Sequence, residues 1–128
     1  MAAPAVTIVM PVHNGGTSLA AAIESMLRQT FHDFELLVID DGSIDASGDI
    51  LRSYARTDQR IIVLQNPTTE GIVRTLNRGI AVARGKYIAR MDADDVSSPE
   101  RLATQVDFLD RHPACAFVGS WAKIINQQ

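Results

Sequence analysis

The chain has a single cysteine, a single tryptophan and no cluster of basic residues, and each shortage narrows the function. Cys115 has no second thiol for an intramolecular disulfide, and its apolar neighbours predict a buried, inert side chain in a protein suited to a reducing, cytosolic compartment. A formal net charge of −3 without a basic patch argues against a protein that holds nucleic acid through neutralised phosphates. Any phosphate-bearing partner therefore needs a local device. No apolar run approaches the roughly 18 residues required to span a bilayer, and the opening "MAAPAVTIVMPV" has no basic leader, so the chain reads as mature and soluble.

What is present is one domain's worth of core-forming material: 128 residues, 46% hydrophobic against 21% charged. "VTIVMPV" (6–12) reads as a buried strand that runs into the turn "HNGG". Leu19, Ile23, Met26 and Leu27 then share one helical face, with Thr17 or Ser18 placed to cap it. "FELLVID" (34–40) is near-continuously apolar, as a strand covered on both faces must be, and it ends in "DDGS". Ile50, Leu51 and Tyr54 mark a second helix, and "RIIVLQN" (60–66) a third strand stopped by Pro67. Ile72, Leu76, Ile80 and Ala83 mark a third helix, closed by Gly85 as a C-terminal glycine. "YIARM" (87–91) is a fourth strand. Pro99 opens a fourth helix with the stripe Leu102, Val106 and Leu109, ended by His112 and Pro113. "CAFVGSWAKII" (115–125) is apolar enough for a fifth strand, with Trp121 in the core or half-exposed.

Alternating strands and helices predict an α/β fold: a mainly parallel sheet with helices on both faces. Ligands of such sheets bind outside the carboxyl ends of the strands where the strand order reverses. Strand one ends in "PVHN", strand two in "DDGS" and strand four in "DADD", so the three tips meet in one crevice if strand one lies between the other two.

Asp92, Asp94 and Asp95 crowd into four residues after an apolar strand. Two unit charges about 6 Å apart at an effective dielectric near 20 repel by roughly 3 kcal/mol, so a cation or hydrogen-bond donors must offset them. Mg²⁺ or Mn²⁺ fits, since such ions use one or two carboxylates and leave other positions to water and substrate phosphates. The plainer reading is acidic charge at the N-terminus of the helix after "SSPE". An EF-hand loop is excluded, because Ser97 and Ala103 stand where its glycine and closing glutamate belong. "DDGS" (40–43) has a turn role, with Ser43 or Asp45 as a helix cap, but an ionised Asp40 or Asp41 can also accept from the ring N–H of uracil, thymine or guanine. His13 reads first as a packing residue of its loop and second as a ring for base stacking. Arg74, Arg78, Arg84 and Arg90 read as solvated, with Arg90 close enough in sequence to pair with the acids.

In order and spacing, "VTIVMPVHN", "SMLRQTFHDFELLVIDDGSID", "EGIVRTLNRGIAVARGKYIARMDADD" and "SPERLATQVDFL" resemble the family 2 glycosyltransferases of the GT-A fold, from about Val6 to Gly119. The resemblance implies an inverting enzyme that moves a sugar from a nucleotide-sugar donor, often UDP-linked, to a hydroxyl acceptor (a glycan or lipid-linked glycan) with Mg²⁺ or Mn²⁺. It implies that Pro11, Val12, His13 and Asn14 line the base and ribose pocket, and that Asp40 or Asp41 contacts the base. Asp92 and Ala93 belong to the same nucleotide site. On the same resemblance Asp92 would hold the ribose or the metal's water shell, Asp94 would be the direct metal ligand and Asp95 would support them. Where many members read Ala-Arg-Asn, this chain has Thr75, Leu76 and Asn77, so an arginine at that position is absent.

The resemblance places the general base and the acceptor-binding segments beyond Gln128, so 1–128 is expected to be the nucleotide-binding part of a longer domain. As such a part it is expected to self-associate through uncovered apolar surface. Polysaccharide or lipopolysaccharide assembly at the inner membrane face is the setting the family suggests. A sugar-phosphate nucleotidyltransferase is the competing enzyme class, but no Lys or Arg occurs between Met1 and Leu27 to handle a triphosphate. A receiver domain is disfavoured because the acids follow strands two and four. A non-catalytic nucleotide-binding piece remains the alternative to an enzyme.

Overall fold

The computed structural model describes residues 2–123. Its elements run β1 (Val6–Val12), α1 (Leu19–Leu27), β2 (Phe34–Asp41), α2 (Ser47–Thr57), β3 (Ile61–Asn66), α3 (Ile72–Val82), β4 (Tyr87–Arg90) and α4 (Arg101–Arg111). The four strands pair in parallel in the order β3-β2-β1-β4. β1 thus lies between β2 and β4, and the order reverses beside it, which is the condition for the loop tips to converge.

Burial explains the strand sequences. β1 and β2 are central and covered, so nearly every position is apolar and β2 is buried along its whole length. Alternate residues serve opposite faces. Val6, Ile8, Met10 and Val12 pack with Leu36 and Val38 against α1, α2 and α4, through Ile23 and Met26, Leu51, and Leu102 and Val106 respectively. Each such fully buried side chain contributes about 1.5–3 kcal/mol. On the other face Val9, Leu37 and Ile39 meet α3 through Leu76. That helix presses close at Gly79, where a Cβ would lie 2.7 Å from Val9 Cγ1 and 2.9 Å from Ile39 Cδ1.

The end of the sheet away from the crevice is tied by a buried polar cluster. Thr7 Oγ1 donates to Glu35 Oε2 at 2.6 Å and accepts from the Gly85 amide at 2.8 Å, while the Arg84 guanidinium meets Glu35 Oε1 at 3.0 Å. Burial pushes the Glu35 carboxyl up, but the Thr7 hydroxyl and the Arg84 amide and guanidinium outweigh it and hold the group below its ordinary value.

Several expectations need correction. The segment 115–123 forms no strand, so the expected fifth strand is absent there, and residues 124 and 125 lie outside the described ones. Ala116, Phe117 and Val118 line a cavity with residues of the edge strand β4, but they stand off from it rather than pair with it. Trp121 and Phe117 are exposed, and Cys115 is half-buried, with Sγ donating to the Phe117 carbonyl. Ser18 stands at the N-cap of α1 without capping it, because its hydroxyl turns to the Gly15 and Ala93 carbonyls. Thr75 and Gly79 are the buried residues of α3, while Ile72 and Ile80 are half-exposed on the sparsely covered face. Gly85 does not take the left-handed conformation of a helix-ending glycine. Its role is close approach: a Cβ there would sit 2.4 Å from the Thr7 nitrogen and 2.6 Å from the Val6 carbonyl carbon. Among the described residues, no helix is long and apolar enough to cross a membrane.

Since the atoms facing Gly85 are backbone atoms of a central strand, Gly85→Ala is expected to lower unfolding stability by about 2–3 kcal/mol. Gly119→Ala, which meets nothing within 4 Å, should leave it unchanged. Urea unfolding midpoints of the two variants check this.

Candidate functional site

β1 runs out at Val12, and the chain turns through Asn14, whose φ of 51° is a left-handed conformation that asparagine tolerates better than most residues. The β1–α1 and β2–α2 loops then lock reciprocally. The Asn14 amide donates to Ser43 Oγ (2.9 Å), and the Ile44 amide donates back to Asn14 Oδ1 (2.9 Å). The Gly15 amide reaches Ser47 Oγ and the Gly16 amide reaches Asp45 Oδ2, each at 3.0 Å. The Ser47 hydroxyl and amide, with the Gly16 amide, hold Asp45 below its ordinary value. His13 is exposed rather than packed. Its Nδ1–H donates to the Asp41 carbonyl at 2.8 Å, which leaves Nε2 as the acceptor that faces Asn14 Nδ2.

The two acids at the tip of β2 point to opposite faces. Asp40 shares the parity of Val38, accepts from the Ser43 amide at 3.1 Å and turns its other oxygen toward Gly48 of α2. Asp41 shares the parity of Ile39 and faces α3. Its Oδ1 accepts from the Glu70 amide (2.7 Å) and Asn66 Nδ2 (3.0 Å), and its Oδ2 from the Gly71 amide (3.0 Å). Burial raises Asp41, but these donors and the Thr75 hydroxyl overcome it, so the carboxyl lies below its ordinary value of 3.8.

The tip of β4 carries the acids without comparable donors. One oxygen from each of Asp92, Asp94 and Asp95 lies within 4.8 Å of the others. Arg90 reaches Asp92 at 3.4 Å, but both side chains are about half exposed and such a pair is weak. Asp95 is pushed up by partial burial and by Asp94 and Asp92, against the nearby Arg101. An all-oxygen donor set of net negative charge suits a hard divalent ion. Oxygens on a Mg²⁺-sized ion are at most about 4.2 Å apart, so two of these carboxylates suffice and a third need not bind directly.

A cleft of about 370 Å³ opens between these tips, lined by Pro11, His13, Asn14, Gly15, Ser18, Ile72, Asp92, Ala93 and Asp94. Six of the residues singled out from sequence therefore share one wall. Val12 is in the core behind them, and Asp40 and Asp41 are buried beside the cleft rather than in its lining. Gly15, Ser18 and Ile72 went unread as site residues. Ser18 looked like a helix cap and Ile72 like core, and only their position at the cleft mouth reveals them. Of the Ser43, Asp45 and Ser47 lock, Ser43 and Asp45 were legible only as helix caps.

A family model described as Glycosyl transferase family 2 matches residues 7–127. The putative glycosyltransferase EpsE of Bacillus subtilis is 38% identical over 125 residues, which is 97% of this chain and 45% of EpsE. Glycosyltransferase GlyG of Streptococcus pneumoniae serotype 4 is 32% identical over 116 residues, 91% of this chain and 38% of GlyG. The chain spans less than half the length of the curated relatives it matches. Among solved structures, S. aureus TarS 1-349 in complex with UDP superposes with a TM-score of 0.78 at 26% identity, over 84% of this chain and 32% of that one. The mannosyltransferase PcManGT from Pyrobaculum calidifontis, in complex with GDP-Man and Mn²⁺, gives a TM-score of 0.77 at 23% identity, covering 84% of this chain and 32% of its own, a likeness of fold.

The depressed Asp41 carboxyl makes a pH prediction. Its ionised form is the one the fold binds, so its contribution to stability is complete above the ordinary value of 3.8 and is lost as pH falls from there through the lower folded value. Asp41→Asn would turn an N–H toward the Gly71 or Glu70 amide. It is expected to cost about 1–3 kcal/mol at neutral pH and to flatten the acid limb of the stability curve, as read by thermal unfolding from pH 7 to 2.5.

Proposed function

Since the chain belongs to glycosyl transferase family 2, we propose that it is the donor-binding part of an inverting, metal-dependent glycosyltransferase that takes a sugar from a UDP-linked donor to a hydroxyl acceptor. The observation that carries this reading is the cleft at the reversal of strand order, with Asp92 and Asp94 on its wall and no Lys or Arg among its lining residues. A diphosphate entering it meets carboxylates, so its charge needs a bridging cation. Support also comes from TarS, solved with UDP and with UDP-GlcNAc, and from PcManGT, solved with GDP-Man and Mn²⁺.

We assign Pro11, His13 and Asn14 to the base and ribose wall, with Val12 holding that wall from the core. Of the two acids of β2 we take Asp41 as the base contact, because it faces α3, whose Ile72 lines the cleft; its Oδ2 accepts one amide. A uracil ring N–H could add a second. Asp92 serves the ribose or the ion's water shell, Ala93 keeps the wall low between them, and Asp94 is the direct ligand for Mg²⁺ or Mn²⁺, with Asp95 in support. When bound, the ion supplies Lewis-acid stabilisation of the charge that grows on the departing nucleoside diphosphate.

The reaction is a single displacement. The acceptor oxygen bonds to the anomeric carbon as the bond to the diphosphate oxygen breaks, and the acceptor proton passes to a general base. We place that base, and the acceptor-binding groups, beyond Gln128, in keeping with relatives more than twice as long. Surface polysaccharide or lipopolysaccharide synthesis at the inner membrane face is the setting we propose. The open edge of β4 and the exposed Phe117 and Trp121 support self-association of this chain, readable by light scattering.

Calorimetry with UDP, GDP and CDP, with and without Mn²⁺, tests the reading. UDP is expected to bind, more tightly with Mn²⁺, and CDP poorly, since the equivalent ring nitrogen of cytosine is an acceptor. Asp94→Ala should abolish the metal-dependent gain with an unchanged circular dichroism spectrum. Undiminished Mn²⁺-dependent binding in that variant would remove the metal role.

A further inference from the structure

The acid loop carries three close carboxylates, and its internal backbone bond is a single turn from the Asp95 amide to the Asp92 carbonyl at 3.2 Å. What grips it comes largely from α1. At the start of that helix, Ser18 Oγ donates to the Ala93 carbonyl at 3.0 Å, between the two acids of the metal motif. Two turns on, Ser25 Oγ accepts from the Ser97 amide at 3.1 Å. Just past the helix, Gln29 is 1% exposed. Its Nε2 donates to the Ser98 carbonyl (2.6 Å) and the Ser25 carbonyl (3.1 Å), and its Oε1 accepts from the Leu102 amide at the start of α4 (3.0 Å). The Thr30 amide adds a bond to the Pro99 carbonyl at 2.9 Å. Arg101 holds the opposite side, donating to the Arg90 carbonyl and to Ser97 Oγ.

We infer that Ser25 and Gln29 are positioning residues for metal binding: α1 sets the distance between the nucleotide wall, from which it starts, and the acid loop, which its far end clamps. Two features favour this over mere helix packing. A buried carboxamide costs free energy unless its donors and acceptor are satisfied, and an apolar residue of similar size would seal the core without that demand. Moreover, all three side-chain bonds from Gln29 and Ser25 to other segments end on residues 97–102, the span that leads from the acids into α4. Neither residue lines the cleft or belongs to the acid cluster. Their effect passes through the loop, and groups that orient metal ligands in this way typically change metal affinity by roughly 10–100-fold when lost.

The inference rests on the metal role proposed above, and the experiment separates the two. The Mn²⁺ dependence of UDP affinity is measured by calorimetry for the parent chain, Gln29→Met and Thr7→Val. Thr7→Val removes a buried hydroxyl at the opposite end of the sheet and serves as a control for stability loss. Gln29→Met is expected to weaken the Mn²⁺-dependent gain by about tenfold, to leave metal-free UDP binding unchanged, and to differ in this from Thr7→Val even at matched thermal stability. Ser25→Ala gives the same readout should Gln29→Met fail to fold, and Ser25→Thr, which keeps the oxygen, should recover the parent's Mn²⁺ dependence. Equal Mn²⁺ dependence in Gln29→Met, Ser25→Ala and the parent overturns the positioning role. A parent with no Mn²⁺-dependent gain overturns the metal reading, and the inference with it.

Discussion

The placement of β1 between β2 and β4 is the constraint on which the rest of the structure depends. Parallel pairing on both sides buries β1 on two faces and two edges, which demands an apolar strand with almost no polar atoms to satisfy. It also forces the chain to leave β1 in one direction for β2 and to return on the other side for β4. The gap between the outgoing and returning loops is the cleft. Residues far apart in sequence, His13 and Asp94, share a wall because one strand is central.

Across the fold, carboxylates are handled in two ways. Asp41 and Glu35 are buried and answered by donors that the fold itself supplies, amides at the start of α3 in one case and Thr7 with Arg84 in the other. Their negative charge is part of what holds the sheet and its helices in place. The acids of the β4 loop have no such answer. Arg90 is exposed and Arg101 is spent on backbone and hydroxyl oxygens, so repulsion among the three persists. A fold that satisfies two acids internally and leaves three at a cleft mouth concentrates negative potential where a cation can relieve it.

The two ends of the sheet divide the work. At the amino end, Gly85 lies against the backbone of β1 and the Thr7–Glu35–Arg84 cluster closes the turn after α3, so β1, β2 and that turn are tightly tied there. At the carboxyl end, the backbone leaves regular pairing, loops lock to one another through Asn14, Ser43, Asp45 and Ser47, and polar side chains reach solvent. Rigidity at one end and polar reach at the other come from the same parallel strands.

Much of this was legible in the amino-acid sequence. Periodicity alone gives the four strands and four helices of the structure, together with a fifth strand that does not form, because a strand buried on both faces must be apolar throughout and a helix on a sheet must carry a stripe. The clustering of Asp92, Asp94 and Asp95 is equally visible, since like charges so close are a cost that demands a reason. Tertiary structure decided the rest. Whether "CAFVGSWAKII" pairs as a strand depends on how close the chain comes to the β4 edge, which local propensity cannot supply, and residues 115–123 stay unpaired. Why Gly85 is glycine depends on Val6 and Thr7, nearly eighty positions away. That Asp40 and Asp41 face opposite ways follows from strand parity, but which face holds the cleft is set by the crossing of α3. Gln29 shows the limit most clearly: in sequence it is a polar residue at a helix end, and only the packing of α1 against the start of α4 turns it into a clamp on the acid loop. Local pattern specifies elements because it is governed by periodicity and burial, whereas a site is made of distances between elements, and those exist only once the sheet has closed.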